Sequence, residues 1–203
     1  DEDLADIFHD ELSAAGYRVV GDNDELFSDT AAVSDEPDFL VGGLDGRQDA
    51  PRVRAIMAAF RAAGINAPDR TDLRVALWSK LVFLAALAGT TAGARCNMGR
   101  VRAVPELWAL YRRLVEEVHQ VGVARGVPLA PDTVEQTMRQ AAKVPDGVRA
   151  SMAHDLAAGK RLEIDWLNGA VVRLGAEVGV QTPAHETVTA LLAPWRNGAR
   201  TDT

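Results

Sequence analysis

Two ionisable side chains in this 203-residue chain stand in runs that suit proton chemistry. Lys80 lies in Trp78-Ser79-Lys80-Leu81-Val82-Phe83, and Glu163 opens Glu163-Ile164-Asp165-Trp166-Leu167-Asn168-Gly169. An ammonium can offset charge building on an oxygen and deliver a proton to it. A carboxylate can pair with that ammonium or hydrogen-bond a hydroxyl. A lysine desolvated beside leucine is instead neutral, and serves as a base or nucleophile. The run Ser151-Met152-Ala153-His154-Asp155-Leu156 adds a hydroxyl. Each residue also has a plainer role. Lys80 could snorkel from an amphipathic helix, Glu163 could be a first-turn acid, and Ser151 could be a helix cap. Asn168 and Asp155 could simply tie helices together.

Other chemistries find less support. His9, His119, His154 and His185 are scattered, and His185-Glu186 has no second pair at metal-ligand spacing, so no metal site is expected. Cys96 is alone, which excludes an internal disulfide, and nothing local makes it a nucleophile with His119 or His154. It reads as a buried thiol. Trp78, Trp108, Trp166 and Trp195 read as core or interface anchors. Trp166, three residues from Glu163, could also stack on a ligand or a cation. No Gly-x-Gly-x-x-Gly occurs, and Gly42-Gly43-x-x-Gly46 reads as strand then turn, with no helix opening at its glycines.

The elements that must position these groups follow from periodicity and composition. A hydrophobic content of 47% is ample for a core. The greasiest stretch, Leu81 to Ala94, falls short of the ~18 residues a bilayer span needs. The N-terminus is acidic, unlike a signal peptide, so a soluble, cytoplasmic protein with no membrane contact is expected. Residues 1–45 hold 14 acidic residues and one basic, Arg18, for a net −13; with −7 overall, residues 46–203 carry +6. An acidic first segment repels phosphates, which argues against a nucleic-acid partner.

Residues 3–15 are expected to form a short helix, Tyr17 to Val20 and Phe39 to Val41 strands, and 22–38 a loop. An alanine-rich helix over 51–63 ends at Gly64, followed by an extended piece at 65–67. From Asp72 the pattern is helical throughout. The stripes are Leu73-Leu77-Lys80-Leu81-Leu84, then Leu107-Leu110-Leu114-Val118-Val121, then a helix over 132–142, then Ile164-Leu167-Val171-Leu174-Val178. Thr182-Pro183 opens the last helix, with the threonine as cap. The expected domains are a small α/β segment at 1–68, a helical bundle at 69–197 and a tail at 198–203.

The stretch from about Leu40 to Trp195 resembles the ketopantoate reductases. The resemblance rests on Leu40-Val41-Gly42-Gly43-Leu44-Asp45-Gly46-Arg47 as a late strand and turn, on the Trp78-Ser79-Lys80-Leu81 run, and on the Glu163 to Gly169 run, in family order and spacing. It implies a mainly α fold: a helical domain like the C-terminal part of 6-phosphogluconate dehydrogenases, preceded by a truncated or divergent Rossmann remnant. It implies Lys80 as the acid that protonates a ketone oxygen during hydride transfer, Glu163 as its partner and Ser151 as a substrate contact. NADPH is the implied cofactor, although its fingerprint is missing. A homodimer and a small-molecule substrate are the implied partners.

Departures from the family pattern matter too. Positions where such enzymes place polar substrate contacts fall at Leu84, Ala88 and Met98, so the face continuing from Lys80 at i+4 and i+8 has turned apolar. Substrate contacts are expected from Ser151, Leu84, Ala88, Met98, Trp166 and Asn168. The reading is an oxidoreductase for a 2-oxo acid or related carbonyl compound. The alternatives are a cofactor-independent cyclase or isomerase of a hydrophobic metabolite, and a non-catalytic dimeric helical module.

Overall fold

The structure, a computed structural model, describes residues 42, 49–65 and 72–199. The expected helix at 3–15, the strands at 17–20 and 39–41, the loop at 22–38 and residues 66–67 of the extended piece lie outside them. So does the turn at Asp45-Gly46. Among the described residues every regular element is a helix, in keeping with a mainly α fold.

The chain divides into two units, Asp1–Ala76 and Leu77–Thr203. In the first, α1 spans Pro51–Ala62. Pro51 sits in the first turn, where its missing N–H costs nothing. Val53, Met57 and Phe60, spaced four and three apart, are buried on one face, and Ala50, Ile56 and Ile65 pack against them. Gly64, at φ 76°, turns the chain out of the helix and lets Ile65 donate its N–H to the Phe60 carbonyl at 2.9 Å.

Helix α2, Leu73–Gly93, crosses the boundary between the units. Its start is fixed by Asp72, whose carboxylate accepts the Arg74 backbone N–H at 2.9 Å and the guanidinium at 2.6 Å. The Arg74 side chain holds that carboxyl below its usual range. The remaining helices are α3 Met98–Ala103, α4 Pro105–Ala124, α5 Thr133–Lys143, α6 Ser151–Ala157, α7 Asn168–Glu177 and α8 Pro183–Leu192. A 3-10 turn follows over Ala193–Trp195.

Helix α4 organises the bundle and touches α3, α5, α7 and α8. Tyr111, Leu114, Val115, Val118 and Val121 form its buried stripe. Leu114, Val118 and Val121 are buried as expected, but Leu107 and Leu110 are only half-buried, and Tyr111 and Val115 fill the core beside them. Complete burial of a leucine or valine side chain contributes roughly 1.5–3 kcal/mol. Toward its C-terminus α4 meets Trp78: a Cβ on Gly122 would lie 2.8 Å from the Trp78 ring. The half-buried indole therefore occupies space that only glycine leaves open.

Several sequence expectations need correction. The stripe that begins at Ile164 is not helical from its start: 164–167 form a turn and α7 begins at Asn168. Ile164 is nonetheless fully buried, so the turn keeps the apolar spacing without the helix. Thr182 occupies the cap position of α8 but makes no side-chain cap bond. Residues 196–199, partly expected as tail, clasp the bundle. Leu162 donates to the Arg196 carbonyl at 3.0 Å, and Ala199 to that of Gly159 at 2.8 Å.

Helix α2 as a whole, although Arg74 and Lys80 interrupt its apolar run, has a length and composition that would suffice to cross a membrane. Buried core helices of soluble proteins meet the same criterion. Here Val82, Phe83 and Ala85 to Ala88 are at most 3% exposed within the fold.

Candidate functional site

Helix α2 places Lys80, Leu84 and Ala88 on one face, over about 12 Å. The face changes character along its length. Lys80 and Leu84 are half-buried, while Ala88 is enclosed. Glu163 is exposed at the start of the turn before α7, and its carbonyl accepts the N–H groups of Trp166 and Leu167 at 2.9 and 3.0 Å. With the helix starting only at Asn168, a first-turn role for Glu163 at the α7 dipole falls away. Trp166 is exposed on that turn, with the Arg173 guanidinium 6.0 Å from its ring centre.

Ser151 is the exposed first residue of α6, whose cap position belongs to Ala150. The hydroxyl therefore is not a cap. The Ala150 N–H instead donates to the Thr91 hydroxyl on α2, 3.2 Å away. Three expected substrate contacts are withdrawn from solvent. Met98 and Asn168 are fully buried and Ala88 is 3% exposed, so in this fold they shape the core rather than line an open surface. Lys80, Leu84, Glu163, Trp166 and Ser151 keep solvent access.

The bundle also holds a buried polar network. The Asn168 side-chain amide lies 3.1 Å from the Ala85 carbonyl on α2 and 3.1 Å from His185 Nδ1 on α8. His185 Nε2 lies 3.1 Å from the Leu114 carbonyl on α4. A carbonyl only accepts, so Nε2 carries the ring proton and Nδ1 accepts from Asn168. Burial pushes His185 down to about 4, against the opposing pull of the Leu114 carbonyl, which keeps the ring neutral. Glu117 of α4 accepts the N–H groups of Ala184 and His185 at 2.8 and 3.0 Å, and so supplies the α8 cap that Thr182 does not. Burial pushes the Glu117 carboxyl up, and these two hydrogen bonds pull against it.

Sequence reasoning passed over Glu117. The signal was there: a carboxylate between Leu114 and Val118, inside an apolar stripe, must find donors. His185 read as a surface or structural residue, and the fold makes it structural. Cys96 is half-buried, and burial raises its thiol above the usual range despite Arg100 and Arg149. No group of three or more potential metal ligands occurs among the described residues.

A dinucleotide needs glycines that open a helix, so that backbone N–H groups face its phosphates. Here Gly99 and Gly169, each second in its helix, already donate their N–H groups to the carbonyls of Asp146 and Ile164, and Gly198 at positive φ follows the last 3-10 turn. The other glycines at positive φ sit two residues beyond helix ends: Gly64 after α1, Gly126 after α4, Gly159 after α6 and Gly179 after α7. Those ends present carbonyls and repel anions. The described residues therefore do not fit the pyrophosphate of a nicotinamide cofactor.

Fold and site define a helical domain with a lysine on its long apolar helix and a glutamate on a turn joined to that helix. Residues 72–195 match the domain described as ketopantoate reductase PanE/ApbA C terminal. A 2-dehydropantoate 2-reductase of Archaeoglobus fulgidus is 32% identical over 158 residues, covering 78% of this chain and 52% of the relative. The chain thus belongs to the ketopantoate reductase family, and 72–195 form its helical C-terminal domain. It spans about half the length of the curated relatives it matches.

Solved structures share the fold. A dimeric ketopantoate reductase from Staphylococcus aureus superimposes with a TM-score of 0.68 at 21% identity, over 78% of this chain and 53% of that one. A D-mandelate dehydrogenase, in ternary complex with NADH and anilino(oxo)acetate, gives 0.69 at 18% identity over 81% and 88%.

Proposed function

We propose that this chain supplies the proton-delivering, substrate-facing half of an oxidoreductase for a 2-oxo acid or related carbonyl compound. One observation carries the reading. Within the matched domain, a buried hydrogen bond from Asn168 joins the helix bearing Lys80 to the start of the helix that follows the Glu163 turn, and the Lys80 and Glu163 side chains keep access to solvent. As a ketone is reduced, negative charge gathers on its oxygen. The Lys80 ammonium offsets that charge and gives up the proton, and Glu163 orients the ammonium or a substrate hydroxyl. By family, the hydride donor is NADPH, and residues other than those described would hold its phosphates. A homodimer fits the dimeric relative.

The test is NADPH oxidation against a panel of 2-oxo acids by the natural polypeptide. Lys80→Ala and Glu163→Gln should each lower kcat by roughly 10²–10⁴-fold, the usual worth of a positioned acid or base. Parent rates in both variants would refute the assigned roles.

A second reading draws on the apolar continuation of the lysine face, with Leu84 half-buried and Ala88 enclosed. It is a cofactor-free cyclase or isomerase acting on a hydrophobic metabolite. It predicts conversion that needs Lys80 but proceeds without nicotinamide, and strict dependence on NADPH would exclude it. A non-catalytic dimeric module would show no turnover in either assay.

A further inference from the structure

We propose that Asn168 is a positioning residue for Glu163, its buried side-chain amide fastening the turn that follows Glu163 to the helix that bears Lys80. The inference rests on the roles proposed above for those two residues. The fastening point lies five residues beyond each of them: Ala85 follows Lys80, and Asn168 follows Glu163. On the Lys80 side five residues of helix span only about 7.5 Å. On the Glu163 side the link is the hydrogen-bonded turn 164–167, so a shift at Asn168 is carried to Glu163 through that turn.

Three features hold the amide in one orientation. The Ala85 carbonyl can only accept, so it faces the Nδ2 donors. His185 Nδ1 takes the second donor, with its tautomer set by the Leu114 carbonyl. Gly89, one helical turn beyond Ala85, leaves room for the amide, since a Cβ there would stand 2.7 Å from Nδ2. On the other side of Asn168, the turn is closed by the Gly169 N–H on the Ile164 carbonyl at 2.8 Å, and by Trp166 and Leu167 on Glu163. The exposed Glu163 carboxylate therefore takes its place from a turn whose far end is anchored in the core. A misplacement of about 1 Å in such a pair costs up to about 10²-fold in rate.

The experiment uses the natural polypeptide and two readouts. In NADPH-dependent turnover, Asn168→Ala should lower kcat about 10- to 100-fold while KM changes less than about threefold. Added to Glu163→Gln, it should cost less than about threefold more, because it acts through Glu163. Gly89→Ala keeps Asn168 but displaces its amide, and should give the same pattern if Asn168→Ala does not fold. Val115→Ala, a core deletion on α4, is the stability control. Amide exchange is the second readout. Trp166 and Leu167 N–H exchange should rise at least about tenfold beyond that in Val115→Ala. Losses that multiply with Glu163→Gln, or exchange that follows global stability alone, would overturn the proposal while leaving the proposed function standing. Parent rates in Lys80→Ala and Glu163→Gln would overturn the function, and the positioning role with it.

Discussion

Glu117 receives the backbone N–H of His185 at 3.0 Å, so the last helix of the bundle is capped by a carboxylate from another helix. The bond ties α8 to α4 at the point where His185 turns its ring toward Asn168. Glu117→Ala would leave two buried N–H groups unsatisfied and should cost about 2–4 kcal/mol, measured by urea unfolding near pH 7.

Glu117→Gln separates charge from capping. Burial holds the folded Glu117 pKa above the ordinary 4.5. The folded state therefore keeps its proton in a window where the unfolded chain has lost it. This stabilising contribution is full below 4.5 and disappears as pH rises through the raised pKa. Glu117→Gln should lack that decline when unfolding is followed from pH 4 upward. Identical pH slopes in parent and variant would contradict the account.

His185 carries the opposite sign. Its folded pKa is lowered from 6.5 to about 4, so the unfolded chain binds a proton that the folded chain refuses. Its contribution is complete above pH 6.5 and falls away toward pH 4, by roughly 3 kcal/mol over the window. His185→Asn should flatten that acid limb in a series of unfolding curves.

Gly122 and Trp78 are matched in shape. A methyl at 122 would lie 2.8 Å from both the Trp78 ring and Leu129 Cδ1. Gly122→Ala should destabilise by about 1–3 kcal/mol through overpacking, despite the better helix propensity of alanine. Thermal unfolding and indole fluorescence would report it together.

Trp166, 68% exposed, contributes little to the core. Trp166→Ala should leave stability within about 0.5 kcal/mol, as most surface changes do. If it touches substrate, KM rises in the same variant. An unchanged KM would remove Trp166 from the site.

How much was legible depended on the physics at each position. The α4 stripe was legible at Leu114, Val118 and Val121 but not at Tyr111 and Val115, and Gly64 ends α1 as expected, at positive φ. The start of α7 was not legible, because Ile164 and Leu167 hold apolar spacing in a turn as well as in a helix. Lys80, Leu84 and Ala88 shared a face as expected, yet how deeply each sinks depends on neighbours far away in sequence. Asn168 was open between ligand contact and helix tie, and only its partners at Ala85 and His185, 83 and 17 residues away, reveal the tie.

The most direct measurement is 2-oxo-acid-dependent NADPH oxidation by the natural polypeptide, parent beside Lys80→Ala, with thermal unfolding run on both. The account predicts turnover in the parent and a loss of at least about 10²-fold in the variant at unchanged stability. Equal rates in the two proteins, or no turnover with any 2-oxo acid, would contradict it.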